Sequence, residues 1–335
     1  MRDKYSPNIA SMRPADNCGP RTAVEGNGIK DFSETQYGAL SKRRLLVGLD
    51  LLCLFVASIP FFACELKAVS PYRRGFFCGD SSITYPYLEH EVIPDGLLVA
   101  GGIVITGLTI ALGECYRVRF RGVHSSAFMQ NLYVSCLYKE LGSFLFGCCV
   151  SQSLTNMAKL SVGRLRPHFL QACGVSYAML NCTMGTYVTT VTCKHPDLDE
   201  EARKSFFSGH ASFAMYTMLY LAFYLQARLS WRGARLLRPL IQFLLVMLAI
   251  YTGLSRISDY RHHPTDVLTG LIQGALTAYW VAFYISTMFK NTQCGSSPQL
   301  KNTQCGSSPQ IKNTLNCPSP QLPLEQPLSN RQTLC

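Results

Sequence analysis

Three short groups of polar residues carry the strongest chemical signal in this sequence. Together they supply fixed cations, a hydroxyl, a glycine turn, two imidazoles and a carboxylate. These groups suit a site that holds a phosphate and breaks one of its ester bonds, because that reaction needs positioned donors and a positioned nucleophile. The three clusters are Lys159 with Arg166 and Pro167; Ser208, Gly209 and His210; and Ser255, Arg256, His262 and Asp266.

The first and third clusters contain cations that suit phosphate oxygens. Arg166 and Arg256 can each present two parallel N–H groups, and Lys159 acts as a point charge. Lys159 and Arg166 are seven residues apart, so on a helix both would project from the same face. On their own, the same cations are also typical of a membrane interface, where their charged ends extend toward water.

The second cluster has the features of a helix N-terminus that binds an anion. Ser208 is a favourable residue immediately before a helix, and Gly209 lets the backbone approach a ligand closely. The free N–H groups at such a helix start favour negative charge. His210 would then lie beside the bound group, where it can donate a proton to a leaving alkoxide.

The third cluster combines a candidate nucleophile with a candidate partner. His262 and Asp266 are four residues apart, which on a helix places them on one face. A carboxylate that accepts a hydrogen bond from one imidazole nitrogen leaves the other nitrogen free to attack phosphorus. His263 competes for this role, although its spacing to Asp266 fits less well. A helix-capping Asp beside an interfacial His is the non-catalytic interpretation of the same residues.

Long apolar segments predict a membrane protein whose helices position these clusters. The chain has 335 residues, is 48% hydrophobic and has a mean hydropathy of +0.11. About 20 helical residues cross a hydrocarbon core, and the sequence predicts an all-α bundle of six transmembrane helices. The third span contains Lys139 and Glu140, which must face the bundle interior or pair with each other. The six predicted spans are residues 45–64, 96–113, 132–154, 211–225, 240–254 and 267–289.

The distribution of charge predicts the orientation of these spans. An even number of spans puts both termini on one side of the membrane. The loops after the second and fourth spans are rich in arginine, so both loops and both termini are expected in the cytoplasm. All three clusters then fall on the extracellular or lumenal side, at the ends of spans three to six. Their convergence on one face favours a shared active site.

The predicted exterior loops carry features of an oxidising compartment. A disulfide within the third loop is compatible with this setting, although the spacing does not define a pairing. Asn181-Cys182-Thr183 is an N-glycosylation sequon, so Asn181 is a predicted glycosylation site. A metal site is not expected, because the loop cysteines have no partner at ligand spacing. These cysteines are Cys78, Cys173, Cys182 and Cys193.

The membrane domain is predicted to cover residues 42–289, with a polar segment at each end of the chain. Residues 1–41 have no apolar period and are expected to be a disordered cytoplasmic arm. Residues 290–335 contain 11-residue repeats rich in Gly, Ser and Pro and are expected to be a low-complexity cytoplasmic tail. The net charge of +11 is explained by membrane orientation, and nucleic acid is not an expected partner.

With these clusters and spans, the chain resembles the phospholipid phosphatases, also called lipid phosphate phosphatases or type 2 phosphatidate phosphatases. That family belongs to the superfamily of histidine phosphatases and vanadium haloperoxidases. The resemblance covers residues 42–290 and rests on the three clusters and on three longer stretches. The stretches are 163–170 (GRLRPHFL), 202–211 (ARKSFFSGHA) and 231–239 (WRGARLLRP).

The resemblance implies a hydrolase that acts on lipid phosphates without a metal or another cofactor. His262 would attack phosphorus and form a phosphohistidine with support from Asp266, and His210 would protonate the departing lipid alcohol. The implied substrates are phosphatidate, lysophosphatidate, sphingosine 1-phosphate and ceramide 1-phosphate, presented at the outer face of the plasma membrane or the lumenal face of an internal one. The residues implied to bind phosphate are Lys159, Arg166, Ser208, Gly209 and Arg256.

Two departures from the family pattern and several alternatives accompany this interpretation. Phe207 precedes Ser-Gly-His where much of the superfamily has proline, and the chain has no Arg-Gly-Asp triplet to suggest integrin binding. The alternatives are an inactive lipid-binding or scaffold relative, a sugar phosphatase, a lipid phosphotransferase and a transporter. His210, His262 and Asp266 favour the hydrolase. Lipid phosphates and the bilayer are the expected partners, and a homo-oligomer is left open.

Overall fold

The computed structural model describes residues 27–66, 68–121, 132–229 and 235–289 as a mainly helical protein. A two-stranded antiparallel sheet pairs β1 (Phe76–Phe77) with β2 (Tyr187–Val188). Apart from this short sheet, the helical prediction is confirmed for the described residues. The helices are α1 (Asn27–Glu65), α2 (Asp95–Arg121), α3 (Leu132–Val162), α4 (Phe169–Cys173), α5 (Pro196–Ala202), α6 (Gly209–Arg228), α7 (Leu237–Ser258) and α8 (Pro264–Trp280), the last followed by a π-helical turn (Val281–Ile285).

Four helices within the described ranges are long and apolar enough to cross a membrane. They coincide with the first, second, fifth and sixth predicted spans. The third and fourth predicted spans are also helical, as α3 and α6, but these two helices are not among the four. The four segments are Arg44–Glu65, Asp95–Phe120, Leu237–Ser258 and Pro264–Ile285.

Helix α6 lies at the centre of the bundle and packs against α2, α3, α7 and α8. Most of its side chains are buried, including Tyr216, Tyr220 and Tyr224. The hydroxyls of Tyr216 and Tyr220 donate to backbone carbonyl oxygens of α3 at 2.7 and 3.3 Å, and that of Tyr224 donates to one of α2 at 3.4 Å. Buried polar groups cost little when they are hydrogen-bonded, which explains how a central helix can be less apolar than the outer ones.

Two glycines let α8 approach α6 closely. A Cβ atom on Gly270 would lie 2.6 Å from the carbonyl oxygen of Ser208, and one on Gly274 would lie 2.3 Å from that of Ser212. Small residues at such a contact allow the helix backbones to meet. The approach joins the second and third clusters, because the backbone N–H of Ser208 donates to the carbonyl oxygen of Asp266 at 3.1 Å.

A buried ionic network stabilises the end of the bundle opposite these clusters. Glu140 accepts a hydrogen bond from Nη2 of Arg228 at 3.0 Å and from two hydroxyls after the π-helical turn at 2.7 and 2.9 Å. Glu114 is also buried and contacts Arg228 at 3.5 Å and Arg117 at 2.9 Å. Glu140 therefore faces the bundle interior, as its position in an apolar segment predicts.

The segments outside the helices at the cluster end are fixed by two disulfides. Cys173–Cys193 lies within the third predicted loop, where the sequence is compatible with a disulfide but does not define its pairing. Cys78–Cys182 joins the first and third loops, a link that the spacing of the cysteines does not indicate.

Helix α1 begins at Asn27, so part of the segment 1–41 predicted as disordered is helical. The difference follows from cooperativity, because extending an existing helix adds one hydrogen bond for each residue that is fixed. Residues 1–26 and the predicted tail 290–335 lie outside the described residues.

Candidate active site

The three clusters meet in a pocket of about 160 Å³ at one end of the bundle. Five of the eight residues predicted to handle phosphate line this pocket, whereas Ser208, Gly209 and Asp266 are not part of its lining. Glu91, Asp95, Glu201 and Arg261 complete the lining and are not indicated by the sequence patterns. The five predicted residues in the lining are Lys159, Arg166, His210, Arg256 and His262.

Lys159 and Arg166 reach the pocket from different elements, so the prediction of one shared helix face is wrong. Helix α3 ends at Val162, before Arg166. The chain turns at Gly163, which has a φ of 57° and lies so close to Tyr72 that a Cβ would be 1.9 Å from its carbonyl oxygen. Only glycine fits this left-handed position. The turn directs Arg166 back over the end of the bundle.

The Ser-Gly-His cluster starts α6, as predicted. The hydroxyl of Ser208 caps the helix by accepting from the backbone N–H of Ala211 at 3.4 Å. Gly209 lies beside a cation, since a Cβ at this position would be 3.4 Å from Nζ of Lys159, an ordinary contact distance. The positive end of the helix dipole and the ammonium group therefore act on the same side of the pocket.

His262 has the geometry of a neutral nucleophile. It is 4% exposed, and its Nδ1 lies 2.7 Å from the carbonyl oxygen of Ser205. A carbonyl only accepts, so Nδ1 carries the proton and Nε2 keeps its lone pair. Burial, with the nearby charges of Arg166 and Lys159, lowers the pKa of His262 well below its ordinary value. The ring is therefore uncharged near neutral pH.

Asp266 is connected to His262 through Ser205, and the predicted direct contact is absent from the described interactions. Oδ2 of Asp266 accepts from the Ser205 hydroxyl at 2.6 Å, and Oδ1 accepts from Arg164 at 2.5 Å. Oδ2 also accepts from the backbone N–H of His263 at 3.3 Å, as a capping residue does. The predicted i, i+4 geometry fails because α8 begins two residues after His262.

His263, the alternative nucleophile, is directed elsewhere. Its Nε2 lies 3.1 Å from the carbonyl oxygen of Leu165, and the residue is not part of the pocket lining. The geometry therefore favours His262.

His210 contacts an acid, a backbone carbonyl and an arginine. Nδ1 lies 3.3 Å from a carboxylate oxygen of Asp95, and Nε2 lies 3.1 Å from the carbonyl oxygen of Ile93. Nε2 is also 3.2 Å from the guanidinium of Arg256. Burial and the positive charge of Arg256 lower the pKa of His210 in the free pocket, and the charge of Asp95 opposes this shift. A bound phosphate would raise the pKa and so favour the protonated ring, which can donate a proton.

The arginines near His210 are fixed by acidic side chains. Arg256 is almost fully buried and donates to Glu91 and to Asp259, both at 2.9 Å. Arg261 lies 3.3 Å from the other carboxylate oxygen of Glu91. Glu91 thus bridges two cations and holds them at one wall of the pocket.

The pocket lining contains a further ion pair and two unpaired donors. Arg166 donates through Nη2 to Glu201. The Nε–H groups of Arg166 and Arg261 are buried and have no hydrogen-bond partner among the described residues. Buried N–H groups are normally paired, so each of these two guanidinium groups keeps one unsatisfied donor.

Comparison with known proteins identifies the family. Residues 140–290 match the family model described as PAP2 superfamily. The chain is 49% identical over 251 residues to phospholipid phosphatase 2 of Homo sapiens, covering 75% of this chain and 86% of that protein. It is 49% identical over 250 residues to phospholipid phosphatase 1 of Rattus norvegicus, covering 74% of this chain and 87% of that protein. The chain belongs to the phospholipid phosphatase family.

Membership makes this chain a lipid phosphatase, and its four apolar helices make it a multi-pass membrane protein. The stretches 163–170, 202–211 and 231–239 point to phospholipid phosphatase 3 as the most similar member, and this finer assignment stays a prediction. No solved structure gives a significant match to the chain.

The potential metal ligands that come together in this phospholipid phosphatase lie outside the pocket. Among the described residues, Cys173, Cys193 and Asp199 form such a group. The two sulfurs are joined in a disulfide, so the group lacks the thiolates that bind metal ions.

Several residues that shape the pocket have no signature in the sequence. Glu91 and Asp95 appear only as acids in a loop of mixed charge, and Glu201 belongs to a charged stretch of ordinary appearance. Ser205 lies three residues before the Ser-Gly-His motif, which is the only hint of its role.

Proposed function

We propose that this phospholipid phosphatase hydrolyses phosphatidate, lysophosphatidate, sphingosine 1-phosphate and ceramide 1-phosphate without a metal ion, through a phosphohistidine on His262. The observation that carries the proposal is a buried, neutral His262 in a pocket lined by four cations and a second histidine. The printed names of the relatives supply the lipid class of the substrate.

In the first step, the phosphate of the lipid binds among Lys159, Arg166 and Arg256, and the N-terminus of α6 adds backbone donors at Gly209. Nε2 of His262 attacks phosphorus, and the bond between phosphorus and the lipid oxygen breaks. The electron pair of that bond passes to the lipid oxygen, which takes a proton from His210. The products are a free lipid alcohol and a phosphohistidine.

In the second step, water replaces the lipid alcohol. His210, now neutral, accepts a proton from the water as its oxygen attacks phosphorus. The bond from phosphorus to Nε2 of His262 breaks, and inorganic phosphate is released. The cations stabilise the charge on the phosphoryl oxygens in both transition states, while Ser205 and Asp266 keep the His262 ring in the reactive tautomer.

The proposed topology has six spans, cytoplasmic termini and an extracellular or lumenal pocket, with the plasma membrane as the main location. Helices at the third and fourth predicted spans support the count of six. The two disulfides support an oxidising environment at the pocket end. Asn181 is exposed in the same region, beside disulfide-bonded Cys182, and is the proposed glycosylation site.

The direct test is phosphate release from lysophosphatidate by the full chain in detergent with EDTA. His262→Ala should abolish release, whereas His263→Ala, its neighbour outside the pocket, should retain most of it. Release that requires an added metal ion would contradict the proposed mechanism. Failure of the intact chain to act on any of the four lipids would favour a lipid-binding scaffold.

A further inference from the structure

Glu201 occupies a donor that the phosphate would need. Its carboxylate lines the pocket and accepts from Nη2 of Arg166. The Arg166 side chain is 7% exposed, whereas that of Glu201 is 54% exposed. The guanidinium is therefore held inside the protein, while the carboxylate is in contact with water and has room to leave.

The backbone on both sides of this pair is fixed. The N–H of Arg166 donates to the carbonyl oxygen of Ala202 at 2.8 Å, and that of Ser205 donates to the carbonyl oxygen of Arg164 at 3.0 Å. These bonds hold the end of α5 against the segment that carries Arg166. Movement of the Glu201 carboxylate then requires only side-chain rotation, which is fast for an exposed residue.

The charge of Glu201 makes it a competitor of phosphate. Desolvation raises the pKa of Glu201, but the positive charges of Arg166, Lys159 and Lys204 outweigh it and hold the pKa below its usual value. The carboxylate is therefore ionised at neutral pH. A phosphate oxygen and this carboxylate would repel each other if both contacted Arg166.

The other acids of the pocket have different partners. Glu91 bridges Arg256 and Arg261, and Asp95 contacts His210. Among the described ion pairs, Glu201 is the carboxylate that holds Arg166.

We propose that Glu201 is a displaceable counter-ion, which pairs with Arg166 while the pocket is free, gives way to the substrate phosphate and returns to promote release of inorganic phosphate. The inference rests on the proposed function, because it assigns to Glu201 a role in the same pocket. Inorganic phosphate has lost the lipid that anchored it in the membrane. Competition from Glu201 therefore acts most strongly on this product.

The test compares Glu201→Gln with Glu200→Gln. Glu200 is the preceding residue, pairs with Lys204 at 4.0 Å and is not part of the pocket lining, so it provides the same change of charge outside the site. Two quantities are measured on the full chain in detergent: inhibition of lysophosphatidate hydrolysis by inorganic phosphate, and direct binding of inorganic phosphate by calorimetry. Glu201→Gln should bind phosphate about tenfold more tightly, which corresponds to ~1.4 kcal/mol.

Glu200→Gln should bind phosphate as the unmodified chain does, and Glu201→Asp should remain close to it because a carboxylate is kept. Weaker phosphate binding by Glu201→Gln would show that Glu201 orients Arg166 rather than competing with the ligand. Unchanged binding would show no competition, and either result would overturn the inference. Glu201→Ala provides the same comparison should the glutamine variant fail to fold.

The direct binding measurement separates this inference from the proposed function. A chain that hydrolyses no lipid phosphate, but binds inorganic phosphate more tightly after Glu201→Gln, would support the counter-ion and refute the hydrolase. A chain that hydrolyses lysophosphatidate, but binds inorganic phosphate equally tightly with and without Glu201→Gln, would support the hydrolase and refute the counter-ion.

Discussion

The path from Asp266 to His262 through Ser205 can be tested by removing one hydroxyl. Ser205 is fully buried, and its hydroxyl donates to Asp266 at 2.6 Å while its carbonyl oxygen accepts from His262 at 2.7 Å. Ser205→Ala removes the first hydrogen bond and keeps the second. It therefore separates the contribution of the carboxylate from that of the backbone carbonyl.

The magnitude follows from the kind of bond that is lost. A hydrogen bond to a charged group contributes about 1.5–3 kcal/mol. If this loss reaches the transition state in full, kcat falls by a factor of about 10–150. Asp266→Asn should lower kcat at least as much, because it also removes the charge that holds Arg164. The Arg164 side chain is 32% exposed, so water replaces part of that interaction.

The assay is a double-mutant cycle on the hydrolysis of saturating lysophosphatidate, with thermal unfolding measured in parallel. If Asp266 acts through Ser205, the double variant will lose less activity than the two single losses combined, with a coupling energy of about 1 kcal/mol or more. Ser143→Ala removes a hydroxyl from α3 that donates to the carbonyl oxygen of Lys139 at 2.8 Å, and should leave kcat unchanged. Additive losses, or a normal kcat for Ser205→Ala, would refute the indirect path.

Further predictions concern stability. Burial lowers the pKa of His168 to about 4, whereas a histidine in the unfolded chain has a pKa of ~6.5. Between these two pH values the folded state binds fewer protons than the unfolded state. The free energy of unfolding should therefore fall by roughly 3 kcal/mol from pH 6.5 to pH 4. In denaturant titrations, His168→Asn should lose this part of the pH dependence, and an unchanged pH profile would contradict it. Arg228→Leu leaves two buried glutamates without their shared cation and should lower the free energy of unfolding by about 3–5 kcal/mol. Replacing the exposed Arg119 by leucine should change it by no more than about 0.5 kcal/mol. Equal effects of the two substitutions in thermal unfolding would argue against the network. Replacing Cys173 and Cys193 by serine opens a link across 20 residues and should lower the unfolding free energy by about 3 kcal/mol, and no loss under non-reducing conditions would contradict the disulfide.

The helical architecture could be predicted from the sequence because its signal is local. Each of the six apolar segments coincides with a helix, including α6, whose tyrosines and hydroxyls satisfy their hydrogen bonds inside the bundle. Hydropathy alone does not mark α3 and α6 as spans. Hydroxyl groups of α6 and the carboxylate of Glu140 in α3 lower the hydropathy of these helices, although they are hydrogen-bonded inside the bundle. The early start of α1 at Asn27 was not predicted, because helix extension depends on an already formed helix rather than on local composition.

Most of the catalytic and phosphate-binding candidates could also be predicted, but the contacts between them could not. Spacing rules apply within one helix, and they failed where the helix ended: α3 stops before Arg166, and α8 starts after His262. Glu91 and Glu201 meet their arginines through tertiary contacts across long stretches of chain. Such contacts leave no period or motif in a single sequence.

The covalent bond between phosphorus and His262 distinguishes the proposed mechanism from the alternatives. The direct measurement is rapid alkaline quenching of the full chain during turnover of lysophosphatidate labelled in its phosphate, followed by fragmentation mass spectrometry of the labelled peptide. We expect an alkali-stable, acid-labile phosphoryl group on His262, absent from His262→Ala and present in His263→Ala. Label on His263, or label that persists in His262→Ala, would contradict it.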